Sequence, residues 1–386
     1  MVRALGIAVI GFGWMGRVHT RAYARVAHHY PGLGVRPEPV AVAEEVPGRA
    51  EEAAARFGFA SATRDWRDVA ADPRVEAVSV TAPNFLHREI GTAMAAAGKH
   101  LWIEKPVGLT LADARAVADA AATAGVHGAV GFNYRNAPAV ETARELIASG
   151  DLGTVTHARF RLFSDYAAHP DGALTWRYER AHGGSGVLAD LASHGADLAR
   201  FLLGDITELV ADSAVFVPHR PRPTGATAGH ARAAGGATGA VENEDYAGCL
   251  LRFASGARGV LEACRVSVGE QNAYGFEVHG TRGALFWDFR RMNELGVSRG
   301  TAYQDQPVST VYTGPGDGEF GAFQPGAANA MGYDDLKVIE AYRFLRSIDE
   351  DRPYGTTLAD AVHSAAVLEA MAASVRSGTW TGVRTP

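Results

Sequence analysis

The sequence predicts an α/β chain in two parts: a doubly wound parallel sheet, then an α+β half built on a largely antiparallel sheet. Three observations carry that reading. Up to about residue 130, short apolar runs alternate with longer helical stretches, the pattern of βαβ units. A glycine-rich turn joins the first apolar run to the first helical stretch. Beyond residue 150 the strand-like runs cluster, with few helices between them.

In the first part, residues 7–10, 40–43, 75–80, 101–103 and 126–130 read as buried strands, and 48–57, 89–97 and 111–124 as helices. In the second, a helix over 138–149 precedes a strand over 155–163. One long helix over 187–203 then ends at Gly204, placed where a C-cap glycine belongs. Further strands are expected at 209–217, 246–253, 257–265, 274–279 and 284–289, and helices at 334–349 and 358–377. The expected division is 1–133 and 134–386, with the closing helices packing back on the first domain. Residues 218–239 are rich in Gly, Ala, Pro and Thr and read as a mobile loop: a tolerated insertion, or a substrate lid or oligomer arm.

At 386 residues, with 47% apolar and 21% charged residues, the chain has the balance of a soluble globular protein. Its 37 basic and 43 acidic residues form no basic patch of the kind nucleic acid requires. The apolar run at 5–10 is too short for a secretory core, and no stretch reads as a membrane span. The two cysteines, Cys249 and Cys264, have no metal-ligand spacing; buried thiols in a reducing compartment, the cytoplasm, are expected, and no metal.

Gly11-Phe12-Gly13-Trp14-Met15-Gly16 follows a strand and opens a helix, the context that gives this pattern meaning. The glycines permit the turn, the approach of a pyrophosphate, and close packing of helix on strand, as in a Rossmann domain. Glu44 ends the second strand, where a carboxylate would accept from the adenosine ribose. It lies further from the loop than usual, and residues 28–39, with three prolines and two glycines, read as an insertion before the strand. Glu44 and Glu45 would repel a 2′-phosphate, hence NAD(H) rather than NADP(H). Two solvated acids are the plain alternative.

Ligands of open parallel sheets bind outside the carboxyl ends of the strands. Those ends carry Thr81-Ala82-Pro83-Asn84 with His87, then Glu104-Lys105-Pro106, then Asn133-Tyr134-Arg135. Lys105, near a cationic nicotinamide and partly buried, would favour its neutral form and take part in proton transfer. In the second half, Asp190, His194 and Asp197 fall three and four apart and would share one face of an otherwise apolar helix. His194 would take a hydroxyl proton as hydride leaves the same carbon, and Asp190 would orient the imidazole or hold a second hydroxyl. Asp197 reads as structural. A rim lysine, a satisfied structural Asp–His pair and a core tryptophan are the plain alternatives for Lys105, Asp190/His194 and Trp176.

On these residues the chain resembles the Gfo/Idh/MocA oxidoreductases, over nearly its whole length. The resemblance implies a catalytic trio of Lys105, Asp190 and His194, a cis Lys105–Pro106 bond, and an open sheet that makes homodimers or homotetramers. Cofactor contacts from Gly11 to Gly16, Glu44, Thr81, Ala82, Pro83, Asn84, His87, Glu104, Lys105 and Asn133 are expected. Gly131 to Arg135, Leu174-Thr175-Trp176-Arg177, Val311 to Pro315 and Met331-Gly332-Tyr333 are similar to members that oxidise C3 of a sugar or an anhydrosugar such as levoglucosan. Tyr134, Arg135, Trp176, Arg177 and Tyr333, with Lys105, Asn133, Asp190 and His194, would then meet the substrate. Inositol oxidation, keto-sugar reduction, NAD-dependent glycoside cleavage and non-catalytic sugar or nucleotide sensing stay open as alternatives.

Overall fold

The computed structural model describes residues 2–225, 231–233 and 236–384, and the chain divides into two compact units. Elements are numbered along the chain. Unit one comprises Met1–Asn133 and Gly332–Val362, so part of the C-terminal third belongs with the N-terminal sheet. Its strands are β1 (Arg3–Ile10), β2 (Val35–Ala43), β3 (Ser61–Thr63), β4 (Ala77–Val80), β5 (His100–Ile103) and β6 (Gly128–Val130). They form one parallel sheet in the order β3-β2-β1-β4-β5-β6, the Rossmann order. The helices of this unit are α1 (Trp14–His29), α2 (Arg49–Phe57), α3 (Trp66–Ala71), α4 (His87–Ala96), α5 (Leu111–Ala124) and α9 (Tyr333–Asp349). Central strands read as continuous apolar runs because helices cover both faces; Leu101, Trp102 and Ile103 on β5 are fully buried.

The expected insertion at 28–39 is corrected. α1 runs to His29 and β2 already begins at Val35, pairing with β1 from Arg3 onward. A longer helix and a longer strand, not an inserted loop, push Glu44 away from the glycines. Pro37 and Pro39 are tolerated because β3 pairs only with Ala41–Ala43, leaving that flank of β2 open where the prolines sit.

Unit two comprises Tyr134–Met331 and His363–Pro386. It contains β7 (Val155–Phe163), β8 (Ile206–Ala214), β9 (His219–Pro221), β10 (Thr238–Ala240), β11 (Tyr246–Phe253), β12 (Arg258–Cys264), β13 (Ala273–Gly280), β14 (Gly283–Asp288), β15 (Glu294–Arg299), β16 (Ser309–Tyr312) and β17 (Thr381–Gly382). Nine of these form a sheet in the order β16-β15-β14-β13-β7-β12-β11-β8-β17, antiparallel except between β7 and β12. Ala158, Phe160 and Leu162 on β7 are buried while Arg159 and Arg161 alternate outward, so one face is covered and the other open. α6 (Pro138–Ala148), the short α7 (Arg180–Gly183) and α8 (Ser193–Leu203) also belong here. α10 (Leu358–Ser377) starts in unit one and ends in unit two. By length and hydropathy it could cross a membrane, contrary to the sequence reading, but half of its apolar window is buried in the protein.

Two further expectations change. The segment read as a mobile loop has ordered ends: β9 and β10 pair as an antiparallel ribbon. Arg220 on β9 is fully buried, donating to the carbonyls of Ala167 and His169 and lying over the Tyr178 ring. Its middle residues, 226–230 and 234–235, lie outside the described residues. The long helix is also not uniform, because Leu188–Ala192 forms a π turn before α8 begins at Ser193. Asp190 lies within that turn and His194 and Asp197 on α8, so the regular α-helical spacing assumed for the three does not run unbroken between them.

Candidate active site

In unit one the glycine loop and the end of β4 are built against each other. Gly11 has φ +85°, and a Cβ there would sit 2.7 Å from the Ala82 nitrogen; a Cβ on Gly16 would meet the Gly11 carbonyl. Thr81 donates through Oγ1 to the carbonyls of Ile10 and Gly11. Gly13 is different. A Cβ there would meet nothing within 4 Å, so this glycine keeps space open at the start of α1. That opening, at the N-terminal end of a 16-residue helix, fits a dinucleotide phosphate. Glu44 is buried at the end of β2, accepting from the amides of Phe12 (2.7 Å) and Val46 (3.1 Å), with Arg49 at 3.5 Å.

Several residues singled out in this unit have partners within the protein. His87 faces two backbone carbonyls, Ala82 at 2.7 Å and Pro106 at 2.8 Å, so its ring braces two strand-end loops. Burial lowers its pKa. Tyr333, expected against substrate, stacks on Trp14 of the glycine loop with ring centroids 5.4 Å apart and donates to the Met15 sulfur. Glu104 is committed to a buried network. Its Oε1 accepts from Lys337 Nζ at 2.6 Å and from His19 Nε2 at 2.9 Å. Lys337 also donates to Glu340 at 2.9 Å, and Trp102 Nε1 donates to the same oxygen at 2.7 Å. His19, Glu104 and Glu340 have metal-ligand spacing, but the Lys337 ammonium supplies the cation between the two carboxylates. Lys105 follows directly, half-buried, with a cis bond to Pro106. Asn133 is buried, its Nδ2 without a hydrogen-bond partner, an amide suited to a bound ligand.

Burial holds the His19 imidazole down at about 4 against an ordinary 6.5, outweighing the hydrogen bond to Glu104. The unfolded chain therefore takes up this proton first. The resulting stability is complete above about pH 6.5 and is lost as pH falls toward 4. His100, also held at about 4, adds a loss of the same sign. Glu340, pushed up to about 7 by burial, works oppositely: its contribution is lost as pH rises from the ordinary carboxyl range through 7. His19→Gln should remove about 3 kcal/mol of the acid-side loss, read by urea denaturation at several pH values. A pH–stability curve unchanged by the substitution would contradict this assignment.

In unit two, Asp190 accepts from the Tyr166 hydroxyl. Burial and the Asp190 charge raise the Tyr166 pKa well above its ordinary value, so the phenol keeps its proton for that bond. His194, on α8, is buried against the Tyr134 ring at 4.6 Å between centroids. Tyr134 in turn packs on Tyr274 and Phe289. Arg135, expected to contact substrate, is bound by both carboxylate oxygens of Asp197, with both side chains buried. Asp197 is thus the anchor the sequence suggested, and Arg135 is its partner. Trp176 and Arg177 lie together, the guanidinium 4.6 Å from the ring centroid, and both are half-buried.

Sequence reasoning missed the scaffold behind these groups. Asn243 donates to the carbonyls of Arg177 and Gly184, and Glu244 accepts from the amide of Leu188 at the start of the π turn. Gly186 permits this, because a Cβ there would collide with the Glu244 carbonyl. Arg265 and Asp245 form a buried pair at 2.8 Å, with Arg265 also held by Asn243. Tyr166 was the one findable residue, being a polar group just past the end of β7.

A Rossmann unit with an open glycine loop, a lysine at a strand end, and a second unit carrying a half-buried acid and a buried imidazole define an NAD-dependent oxidoreductase. Comparison with known proteins gives the family. Residues 5–132 match the oxidoreductase family, NAD-binding Rossmann fold, and residues 140–286 match the GFO/IDH/MocA C-terminal domain. The chain is 36% identical over 98% of its length, and 98% of the relative's, to levoglucosan dehydrogenase of Pseudarthrobacter phenanthrenivorans. It is 30% identical to myo-inositol 2-dehydrogenase of Thermotoga maritima, covering 73% of this chain and 75% of that one. A solved levoglucosan dehydrogenase in complex with NADH and levoglucosan superposes over 100% of both chains with TM-score 0.93 and 34% identity. The chain belongs to the Gfo/Idh/MocA family.

Proposed function

We propose that this protein oxidises a ring hydroxyl of a pyranose or anhydrosugar, C3 of levoglucosan or a close analogue, with NAD⁺. The observation that carries this reading is the similarity to levoglucosan dehydrogenase across nearly the whole chain. The chain also carries Lys105, Asp190 and His194. Bound NAD⁺ supplies the hydride acceptor. His194 takes the hydroxyl proton as the C–H bond breaks, leaving a ketone, NADH and one proton. Asp190, aimed by the Tyr166 hydroxyl, holds the imidazole or a second substrate hydroxyl. Lys105 shares the proton transfer at the reacting oxygen. Trp176 offers a stacking surface for the sugar ring and Arg177 a donor for its hydroxyls.

The proposal extends to a homodimer or homotetramer through the open face of the nine-stranded sheet. That face carries Arg159, Arg161, Glu262, Glu277 and Phe286 around a groove of about 400 Å³. Buried, unpaired Cys249 and Cys264 support a reducing compartment, the cytoplasm. A cyclitol is the second reading, favoured by the similarity to myo-inositol 2-dehydrogenase. The test is turnover with NAD⁺ and NADP⁺ on levoglucosan, other anhydrosugars, pyranoses and inositols, followed by absorbance of the reduced nicotinamide. Levoglucosan or a related pyranose should be oxidised, with NAD⁺ preferred at least about tenfold. Bound cofactor without turnover on any sugar or cyclitol would overturn the reading.

A further inference from the structure

Lysine is scarce in this chain. Of its 37 basic residues, only Lys99, Lys105 and Lys337 are lysines. Positive charge is otherwise carried by arginine, so each lysine marks a place where a compact ammonium serves and a broad guanidinium does not. Lys99 precedes β5 and donates to the carbonyls of Asp72 and Val75. Lys105 leaves the other end of the same strand. Lys337, on α9, is fully buried between Glu104 and Glu340.

The Lys337 cluster is a poor device for stability alone. Burying charges costs several kcal/mol per ion, and apolar side chains of similar volume usually serve as well or better. What distinguishes it is its place. Its central anion, Glu104, is the residue immediately before Lys105. One Glu104 oxygen accepts from both Lys337 and His19. The carboxylate also lies against Gly131, where a Cβ would collide with it. His19 is itself held, its Nδ1 accepting from Ser79, which accepts from Tyr23, and its ring stacked on Trp102 at 3.5 Å. On the other side of Lys105, the Pro106 carbonyl lies 2.8 Å from His87 Nδ1. The backbone that carries Lys105 is thus gripped on both flanks, and on the Glu104 side by a lysine 232 positions further along the chain.

We propose that Lys337 is a positioning residue for Lys105: by holding Glu104 it fixes the backbone from which the reactive amine extends. This rests on the reading of Lys105 as catalytic. Methionine is an unbranched side chain one atom shorter than lysine and lacks the charge. Lys337→Met would free the Glu104 carboxyl to rotate and to take up a proton, loosening that flank.

The readout does not need turnover. With Lys99 and Lys337 buried, Lys105 is the one lysine side chain open to limiting acetic anhydride, and mass spectrometry gives its acylation rate relative to the N-terminal amine. Lys337→Met should change that rate at least about fivefold and lower kcat at least about tenfold, with sugar KM and NADH affinity within about threefold. Lys99→Met, at the far end of β5, should change neither rate. Should the single variant fail to fold, Glu104→Leu/Lys337→Met removes both charges together and should fold with the same altered Lys105 reactivity. Either variant, folded and with wild-type Lys105 acylation, overturns the proposal. Wild-type protein inactive on every sugar would sink the proposed function and leave the acylation result standing.

Discussion

Lys105→Met should lower kcat by about 10³-fold while NADH affinity stays within about twofold. The amine leaves β5 half-buried, its neighbours held by the Glu104 network and by the His87 ring. The substitution keeps an unbranched chain of nearly the same length and removes the group that donates or accepts a proton. If the loss fell mainly on NADH affinity, Lys105 would be a cofactor clamp and the assignment to proton transfer would fail. His194→Gln gives a useful comparison. Both variants should lose kcat, and the double variant should lose little more than the worse single one, because residues acting as a unit are not additive.

Gly13→Val should abolish tight NADH binding, by at least about 100-fold, and leave stability nearly unchanged. The reason is geometric. Gly13 has φ −76°, open to any residue, and a Cβ there meets no protein atom. The added side chain would fill space that a pyrophosphate needs and would cost the folded protein only the modest preference for glycine over valine at an N-cap. Gly11→Ala supplies the contrast. Its positive φ and the Ala82 backbone at 2.7 Å mean that this variant should lose stability as well as binding. Fluorescence titration with NADH and thermal melts separate the two outcomes. Undiminished NADH affinity in Gly13→Val would show that the loop does not carry the phosphates.

Elements with long, clean periodicity were legible. The strand over 155–163, the strand over 246–253 and the helices over 111–124 and 358–377 lie where the apolar pattern puts them. β3, only three residues long, and β16, exposed on every residue, leave no alternation to read. The π turn at Leu188–Ala192 has no signature in composition. It matters most, since it carries Asp190, with Tyr166 as its partner, while His194 on the following α8 packs on Tyr134.

The site was legible as a set of chemical groups and less so as a set of roles. Glycine spacing, Glu44 and Lys105 follow from local context, because a loop and two strand ends are local features. Glu104 and Arg135 were read as ligand contacts because they sit beside such features. Their partners, Lys337 and Asp197, are 233 and 62 residues away, and no local pattern announces them. Both pairs are buried charges satisfied by charges, the arrangement a low-dielectric interior demands. Tyr333 shows the same limit, since its stacking on Trp14 depends on α9 belonging to unit one.

The central claim, hydride transfer from a ring carbinol to NAD⁺, is tested most directly with levoglucosan deuterated at C3. Deuterium is expected at C4 of the nicotinamide in the NADH formed, detected by mass spectrometry, with a 3-keto product. NADH carrying no deuterium, or product oxidised at another carbon, would contradict it.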